Sequence, residues 1–271
     1  MPRPSLVRLL GMSESGSAAR VLVIVPAWNE QDSVVATVTE IREADASLDI
    51  LVIDDGSVDQ TSERARMAGA LVCRLPFNLG VGGAMRTGYR YALRNGYDVA
   101  VQIDADGQHD PTYLKVLIQA LDRADVVVGA RFADPHDTYR VRGPRKWAMV
   151  MLGKVLSWVS GTRITDATSG FRAVNRRGIA VFAAHYPAEY LGDTVESLVI
   201  ALRTGCLVNQ VPVQMRARAA GNASASPVRA AVYLCRAIVA LGLALVRQWP
   251  ADLPDSLAVS PGNRQQVIGR P

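Results

Sequence analysis

Short, largely apolar runs recur through the first half of the chain. Val21, Leu22, Val23, Ile24 and Val25 make the first, and others lie at 50–53, 70–75, 99–103 and 126–128. The β-branched content of the first predicts a strand buried on both faces of a sheet, and the others read as further strands. Helical spacing fills the gaps. Val34, Val35, Val38 and Ile41 mark a helix over 31–45, and Ala84, Tyr91 and Ala92 share one side of a helix over 82–95. A polar helix is predicted over 59–68, and another over 111–122 with Pro111 in its first turn. Strand and helix alternate in this way as far as residue 128, which predicts an α/β fold: a mostly parallel central sheet with helices on both faces. The pattern then changes. Residues 144–160 read as an amphipathic helix containing Trp147 and Trp158, 166–172 as a polar loop, 192–204 as a helix and 207–213 as a strand.

Composition narrows the class. A chain of 271 residues with 49% hydrophobic content suits one large globular domain, alone or with a short appendage. A charged fraction of 20% argues against wholesale disorder, and a net charge of +5 permits an anionic partner without choosing among nucleotide, phospholipid and nucleic acid. Cys73, Cys206 and Cys235 are far apart and lack zinc or redox spacing, as expected in a reducing cytosol. Residues 1–19 read as a polar tail without a signal-peptide core, 20–225 as the folded domain, 226–249 as an apolar helix and 250–271 as a second tail. The apolar run 231–246 contains Arg236. As a helix it reaches only about 24 Å, short of the roughly 30 Å of a hydrocarbon core. It is expected to lie on the membrane interface, with the basic stretch 140–146 as a second contact; a helix that merely covers the sheet is the alternative.

Three polar clusters, at 26–30, 54–57 and 104–108, each follow a predicted strand. Right-handed crossovers bring such strand ends to one edge, where α/β sheets bind ligands. The third cluster carries Asp104 and Asp106, one residue apart, with Gln108 two further on. Adjacent carboxylates repel unless a proton or cation separates them, and a hard divalent ion takes oxygen ligands and bridges to phosphate. A metal–diphosphate site is the sharper reading, and a solvated turn the plainer one. A dinucleotide-binding dehydrogenase would need Gly-x-Gly-x-x-Gly after the first strand. Pro26-Ala27-Trp28-Asn29-Glu30 stands there instead, and Gly80-x-Gly82-Gly83 has the wrong spacing.

The motifs Pro26-Ala27-Trp28-Asn29-Glu30, Asp54-Asp55-Gly56-Ser57, Asn78-x-Gly80, Asp104-Ala105-Asp106-Gly107-Gln108 and Thr168-Ser169-Gly170-Phe171-Arg172 occur in that order. Over residues 20–220 the chain resembles family 2 glycosyltransferases, most of all the dolichyl- and polyprenyl-phosphate sugar synthases. The resemblance implies a GT-A fold, a nucleotide-sugar donor, Mg²⁺ or Mn²⁺ and inversion at the anomeric carbon. It places Pro26, Trp28 and Glu30 at the base and ribose, and Ile53 and Asp55 at the nucleoside. Asp104 and Ala105 fall at the nucleotide-sugar, and Asp106 and Gln108 at the metal. It also puts Arg131 facing the donor, Glu196 near the sugar and Arg218 at the diphosphate. Trp28 replaces the usual Tyr or Phe, and Ser224 stands where a lysine is expected, so Arg216 or Arg229 substitutes for it or the acceptor end differs.

The expected function is transfer of a sugar from a UDP- or GDP-linked donor to a polyprenyl phosphate, by a protein held peripherally at the inner face of the plasma membrane. No nucleic-acid partner is expected. A saccharide or other hydroxyl acceptor is the alternative and needs a base, for which Asp166 and Asp193 are candidates. A sugar-nucleotide-binding regulator is the non-enzymatic alternative. Other residues receive plainer expectations. Asn78 and Gly80 shape a turn, Gly88 allows close helix packing, and His109 starts a helix in solvent. Asp54 either holds its own turn or contacts ligand, and Arg172 either orients the 166–172 loop or touches substrate.

Overall fold

Alternate residues of the first strand feed two different cores. The computed structural model describes residues 19–131, 153, 157, 164–187 and 193–216. In it β1 spans Val21–Ala27, with Leu22 and Ile24 packed into one buried cluster and Val23 and Val25 into the other. The two-residue period of a strand separates its side chains in this way. β2 (Asp49–Asp54) does the same, sending Leu51 and Ile53 to the first cluster and Ile50 and Val52 to the second. Helices cover both faces. α1 (Val34–Ala44), α2 (Thr61–Met67) and α4 (Leu114–Ala120) pack on the Val23 side, while α3 (Gly80–Arg94), α5 (Arg176–His185) and α6 (Asp193–Arg203) pack on the Leu22 side.

The sheet has seven strands in the order β3-β2-β1-β4-β6-β5-β7, where β3 is Leu71–Arg74, β4 Val99–Gln102, β5 Val126–Ala130, β6 Arg172–Asn175 and β7 Val208–Pro212. β1 pairs in parallel with β2 and β4, β2 with β3, and β5 with β7. β6 runs antiparallel to both β4 and β5. Six carboxyl ends therefore share one edge, and β6 begins at that same edge with Arg172. The mostly parallel α/β reading holds.

Three elements differ from expectation. β6 and α5 occupy residues for which the pattern gave no element, and the predicted 111–122 helix is a 3₁₀ turn at Pro111–Tyr113 followed by α4. The glycine expectations hold. A Cβ on Gly88 would lie 2.4 Å from Ile24 Cγ2, so α3 sits against β1 only because that position is bare. Cys206 is buried and Cys73 half-buried. Among the described residues no helix is long and apolar enough to cross a membrane. Residues 153 and 157 are helical, and the rest of the 144–160 reading lies outside the described residues. So do the 140–146 stretch, Cys235, Arg218, Ser224, Arg229, the 226–249 helix and both tails.

Candidate active site

The loops after β1 and β2 are stitched together. Asp55 N–H donates to the Ala27 carbonyl at 2.8 Å, Asn29 N–H to Ser57 Oγ at 2.8 Å, and Val58 N–H to Asn29 Oδ1 at 3.0 Å. Glu30 N–H donates to Thr61 Oγ1 at 2.9 Å. Asn29 has φ 55°, a left-handed conformation that asparagine tolerates better than most side chains. Trp28 beside it is 54% exposed. Pro26 is half-buried near the end of β1.

The two acids of the second cluster divide their work. Asp54 is fully buried and holds its own turn: it accepts from Ser57 N–H at 2.8 Å and from the Ser62 hydroxyl, with Arg74 Nε at 3.8 Å. Asp55 reaches toward α3 and accepts Leu79 N–H at 2.7 Å. Burial pushes the Asp55 carboxyl up, the N–H groups of Leu79 and Gly80 oppose this only in part, and the neighbouring Asp54 charge adds to the rise. Asn78 Oδ1 accepts Gly80 N–H at 2.9 Å, the turn expected there. Gly56 has φ 72°, and a Cβ on it would stand 2.7 Å from the Phe77 carbonyl carbon. That close approach brings Phe77 and Leu79, both exposed, to the rim beside Asp55.

The third cluster joins the first through β1. Ile103 N–H donates to the Ile24 carbonyl at 3.1 Å, and Thr37 Oγ1 donates to the Ala105 carbonyl at 3.1 Å. Asp106 is mostly buried and its Oδ1 accepts Gln108 N–H at 3.0 Å, across Gly107 with φ 74°. Asp104 is half-exposed and accepts from Gln102 Nε2 at 3.0 Å. A Cβ on Gly170 would lie 3.1 Å from Asp104 Oδ2, so the backbone of the 166–171 loop stands directly against that carboxylate. The sequence motifs around 26–30, 54–57, 104–108 and 166–172 thus meet at one edge. The side chains of Ile53 and Ala105 pack in the core, not in the cleft.

Arg131, at the end of β5, forms a bidentate pair with Asp166. Nε lies 2.8 Å from Oδ2 and Nη2 3.1 Å from Oδ1, and Nη2 also donates to Thr168 Oγ1 at 2.7 Å. Burial alone would raise the Asp166 carboxyl, but the guanidinium and the N–H groups of Arg131 and Thr168 outweigh it and hold the pKa below its ordinary value. Arg172 is fully buried. It donates to the Ser169, Ala167 and Thr194 carbonyls and to Ser197 Oγ, so it orients the 166–172 loop and ties it to α6. Glu196 is half-buried on that helix. Asp193 begins α6, and its side chain lies outside the description, as does Arg218. Arg216 pairs with Glu40 at 2.5 Å and Asp110 at 3.0 Å, against α1.

His109 departs most from expectation. It is buried rather than solvent-exposed, its ring stacked on Phe171 with centroids 4.9 Å apart and an interplanar angle of 12°. Sequence reasoning also passed over Gln102 and Thr37. An amide closing an apolar strand was the available signal for the first; nothing local marked the second.

A family model described as glycosyl transferase family 2 matches residues 22–182. An undecaprenyl-phosphate mannosyltransferase from Micrococcus luteus is 32% identical over 76% of this chain and 88% of its own. A polyprenol monophosphomannose synthase from Mycolicibacterium smegmatis is 32% identical over 79% of this chain and 84% of its own. Among solved structures, a glucosyl-3-phosphoglycerate synthase from Mycobacterium tuberculosis, crystallised with Mn²⁺, uridine diphosphate and phosphoglyceric acid, superposes with TM-score 0.66 at 19% identity. That match covers 93% of this chain and 94% of the other.

Proposed function

The chain belongs to glycosyl transferase family 2 and is a glycosyltransferase, and we propose that it moves a sugar, with inversion, from a UDP- or GDP-sugar to a polyprenyl phosphate. The observation that carries this reading is the meeting of Asp104 and Asp106 with the loops after β1 and β2 and with Gly170 at one sheet edge.

The oxygen donors fit Mg²⁺ or Mn²⁺. Among the described residues no group of three or more His, Cys, Asp or Glu could hold a metal ion. Mg²⁺ bound with substrate phosphates commonly takes only one or two carboxylates and leaves its other positions to phosphate and water. Asp106 and Gln108 would hold the ion, with Asp104 facing the nucleotide-sugar. When bound, it supplies charge that stabilises the departing diphosphate. The rest belongs to the protein. Trp28 offers a flat ring to the base, and Asp55 receives the nucleoside beside the 77–80 loop. Arg131, held in orientation by Asp166, presents its guanidinium toward the donor, with Arg218 at the diphosphate and Glu196 near the sugar.

Of the two candidate bases for a hydroxyl acceptor, Asp166 is engaged by Arg131, and the side chain of Asp193 lies outside the described residues. A hydroxyl acceptor needs a base, and the buried Asp166 carboxylate is bound to Arg131 with its pKa held down, which makes it a weak one. A lipid phosphate is already ionised. Its relatives' acceptors, as their names give them, and the apolar 231–246 run support peripheral work at a membrane. The test is a panel of UDP- and GDP-sugars with Mn²⁺ or Mg²⁺ and a short-chain polyprenyl phosphate, read by product mass. One donor is expected to give a glycosyl-phospholipid; a sugar on a saccharide hydroxyl and none on lipid would overturn the acceptor.

A further inference from the structure

We infer that His109 is a positioning residue for the acidic loop, acting through Asp104. Regular pairing of β4 ends at Gln102, so the Asp104 N–H lies beyond the ladder and needs another acceptor. His109 Nδ1 provides it at 3.0 Å. A ring nitrogen that accepts carries no hydrogen, so the imidazole is the tautomer with its hydrogen on Nε2. That nitrogen sits 3.7 Å from Asp104 Oδ2, too far for a hydrogen bond but on the side of the carboxylate. One ring therefore fixes the backbone of Asp104 and places a polar edge beside its side chain.

The ring is itself held. Phe171 stacks on it, and Phe171 follows Gly170, whose backbone abuts Asp104 and Gln102. On the other side, His109 forms an isolated antiparallel bridge with Met215, and Arg216 N–H donates to the Gln108 carbonyl at 3.0 Å. The loop is thus closed at both ends, by His109 on Asp104 and by Asp106 Oδ1 on Gln108 N–H. Its oxygen donors are presented by a turn whose shape His109 sets from behind, joining the β4 tip, the 166–171 loop and the end of β7.

This inference rests on the reading that the 104–108 loop binds a metal-bridged diphosphate, and the variants separate the two. Binding of Mn²⁺ to the full-length protein in the presence of UDP, and of GDP in a parallel arm, is followed by loss of the free-ion paramagnetic resonance signal. Thermal unfolding is measured alongside. His109→Phe keeps a ring against Phe171 but removes the acceptor; His109→Asn removes the ring but keeps an acceptor near Nδ1; His109→Ala removes both. His109 bonds Asp104 rather than Asp106 or Gln108, so its effect on the ion is through the shape of their shared loop; loss of groups that orient metal ligands typically weakens binding about 10–100-fold. Phe and Ala at 109 are expected to weaken Mn²⁺–nucleotide binding by at least about tenfold, and Asn to recover most of it despite its lower melting temperature. A merely structural role would rank the variants by stability instead. If His109→Phe does not fold, the Asn and Ala variants carry the comparison, and equal binding by those two overturns the proposal. Wild-type affinity in a folded His109→Phe protein overturns it as well, while leaving the metal reading intact. Failure of the wild type to take up Mn²⁺ with either nucleotide, or uptake undiminished in Asp106→Ala, sinks the metal reading and the inference together.

Discussion

Asp55 is held in a conformation that costs the protein stability. Its carboxyl is buried and its pKa raised, with the N–H groups of Leu79 and Gly80 offsetting only part of the rise. A carboxyl whose folded pKa exceeds its unfolded value costs nothing below that unfolded value of about 3.9. The cost then grows as pH rises toward the folded pKa and stays in place above it. Asp55→Asn keeps an oxygen for Leu79 N–H and removes the charge. It is expected to be more resistant to urea than wild type at pH 7, with the gain gone below about pH 4. Its affinity for the nucleoside diphosphate should fall about tenfold or more, because hydrogen bonds to charged groups contribute roughly 1.5–3 kcal/mol. Urea melts at both pH values with a nucleotide titration check this, and an equal stability difference at pH 7 and below pH 4 would contradict it. Asp166 has the opposite sense. Its depressed pKa contributes stability above the unfolded value, and that contribution fades as pH falls through the folded one.

Elements differ in how openly the sequence announces them. β1, β2, β4 and β5 are legible because their buried positions leave largely apolar runs, and β3, an exposed edge strand, because Leu-Val-Cys still interrupts the polar helices around it. β6 is not, because it is Arg-Ala-Val-Asn and its first residue is buried through hydrogen bonds to three carbonyls and a hydroxyl. α5 is hidden for a different reason. Its residues from Gly178 to Ala183 are all buried, which erases the polar stripe that helical periodicity relies on. His109 reads as a helix start beside Asp110 and Pro111, and only the distant Phe171 reveals its burial. The site acids were legible because charge ends an apolar run abruptly; the Arg131–Asp166 pairing was not, since nothing local joins residues so far apart in sequence. Gly88 gives a prediction at this scale. An added methyl would strike Ile24 where α3 crosses β1, so Gly88→Ala is expected to lower unfolding free energy by about 1–3 kcal/mol. Denaturant titration reads this directly, and an unchanged midpoint would mean that α3 shifts without cost.

At the scale of the molecule, one reversed strand completes the site. Were the sheet wholly parallel, the segment before β6 would lie at the opposite edge from Asp104. Because β6 runs antiparallel between β4 and β5, the 166–171 loop arrives at the edge where six strands end. Arg216, paired with Glu40 and Asp110, then fixes the chain after β7 against α1 and the acidic loop, and Arg218 follows two residues later. Arg216 is thereby engaged by those two carboxylates, while Ser224 and Arg229 lie outside the described residues. On the proposed reading, charge at the diphosphate would come from Arg218 and from the cation that Asp106 and Gln108 would hold, with Arg131 facing the donor. The most direct measurement is sugar transfer to a short-chain polyprenyl phosphate by Asp106→Ala, beside wild type and with circular dichroism to confirm the fold. Transfer is expected to disappear while the spectrum and melting temperature hold. Undiminished turnover in that variant would contradict the account at its centre.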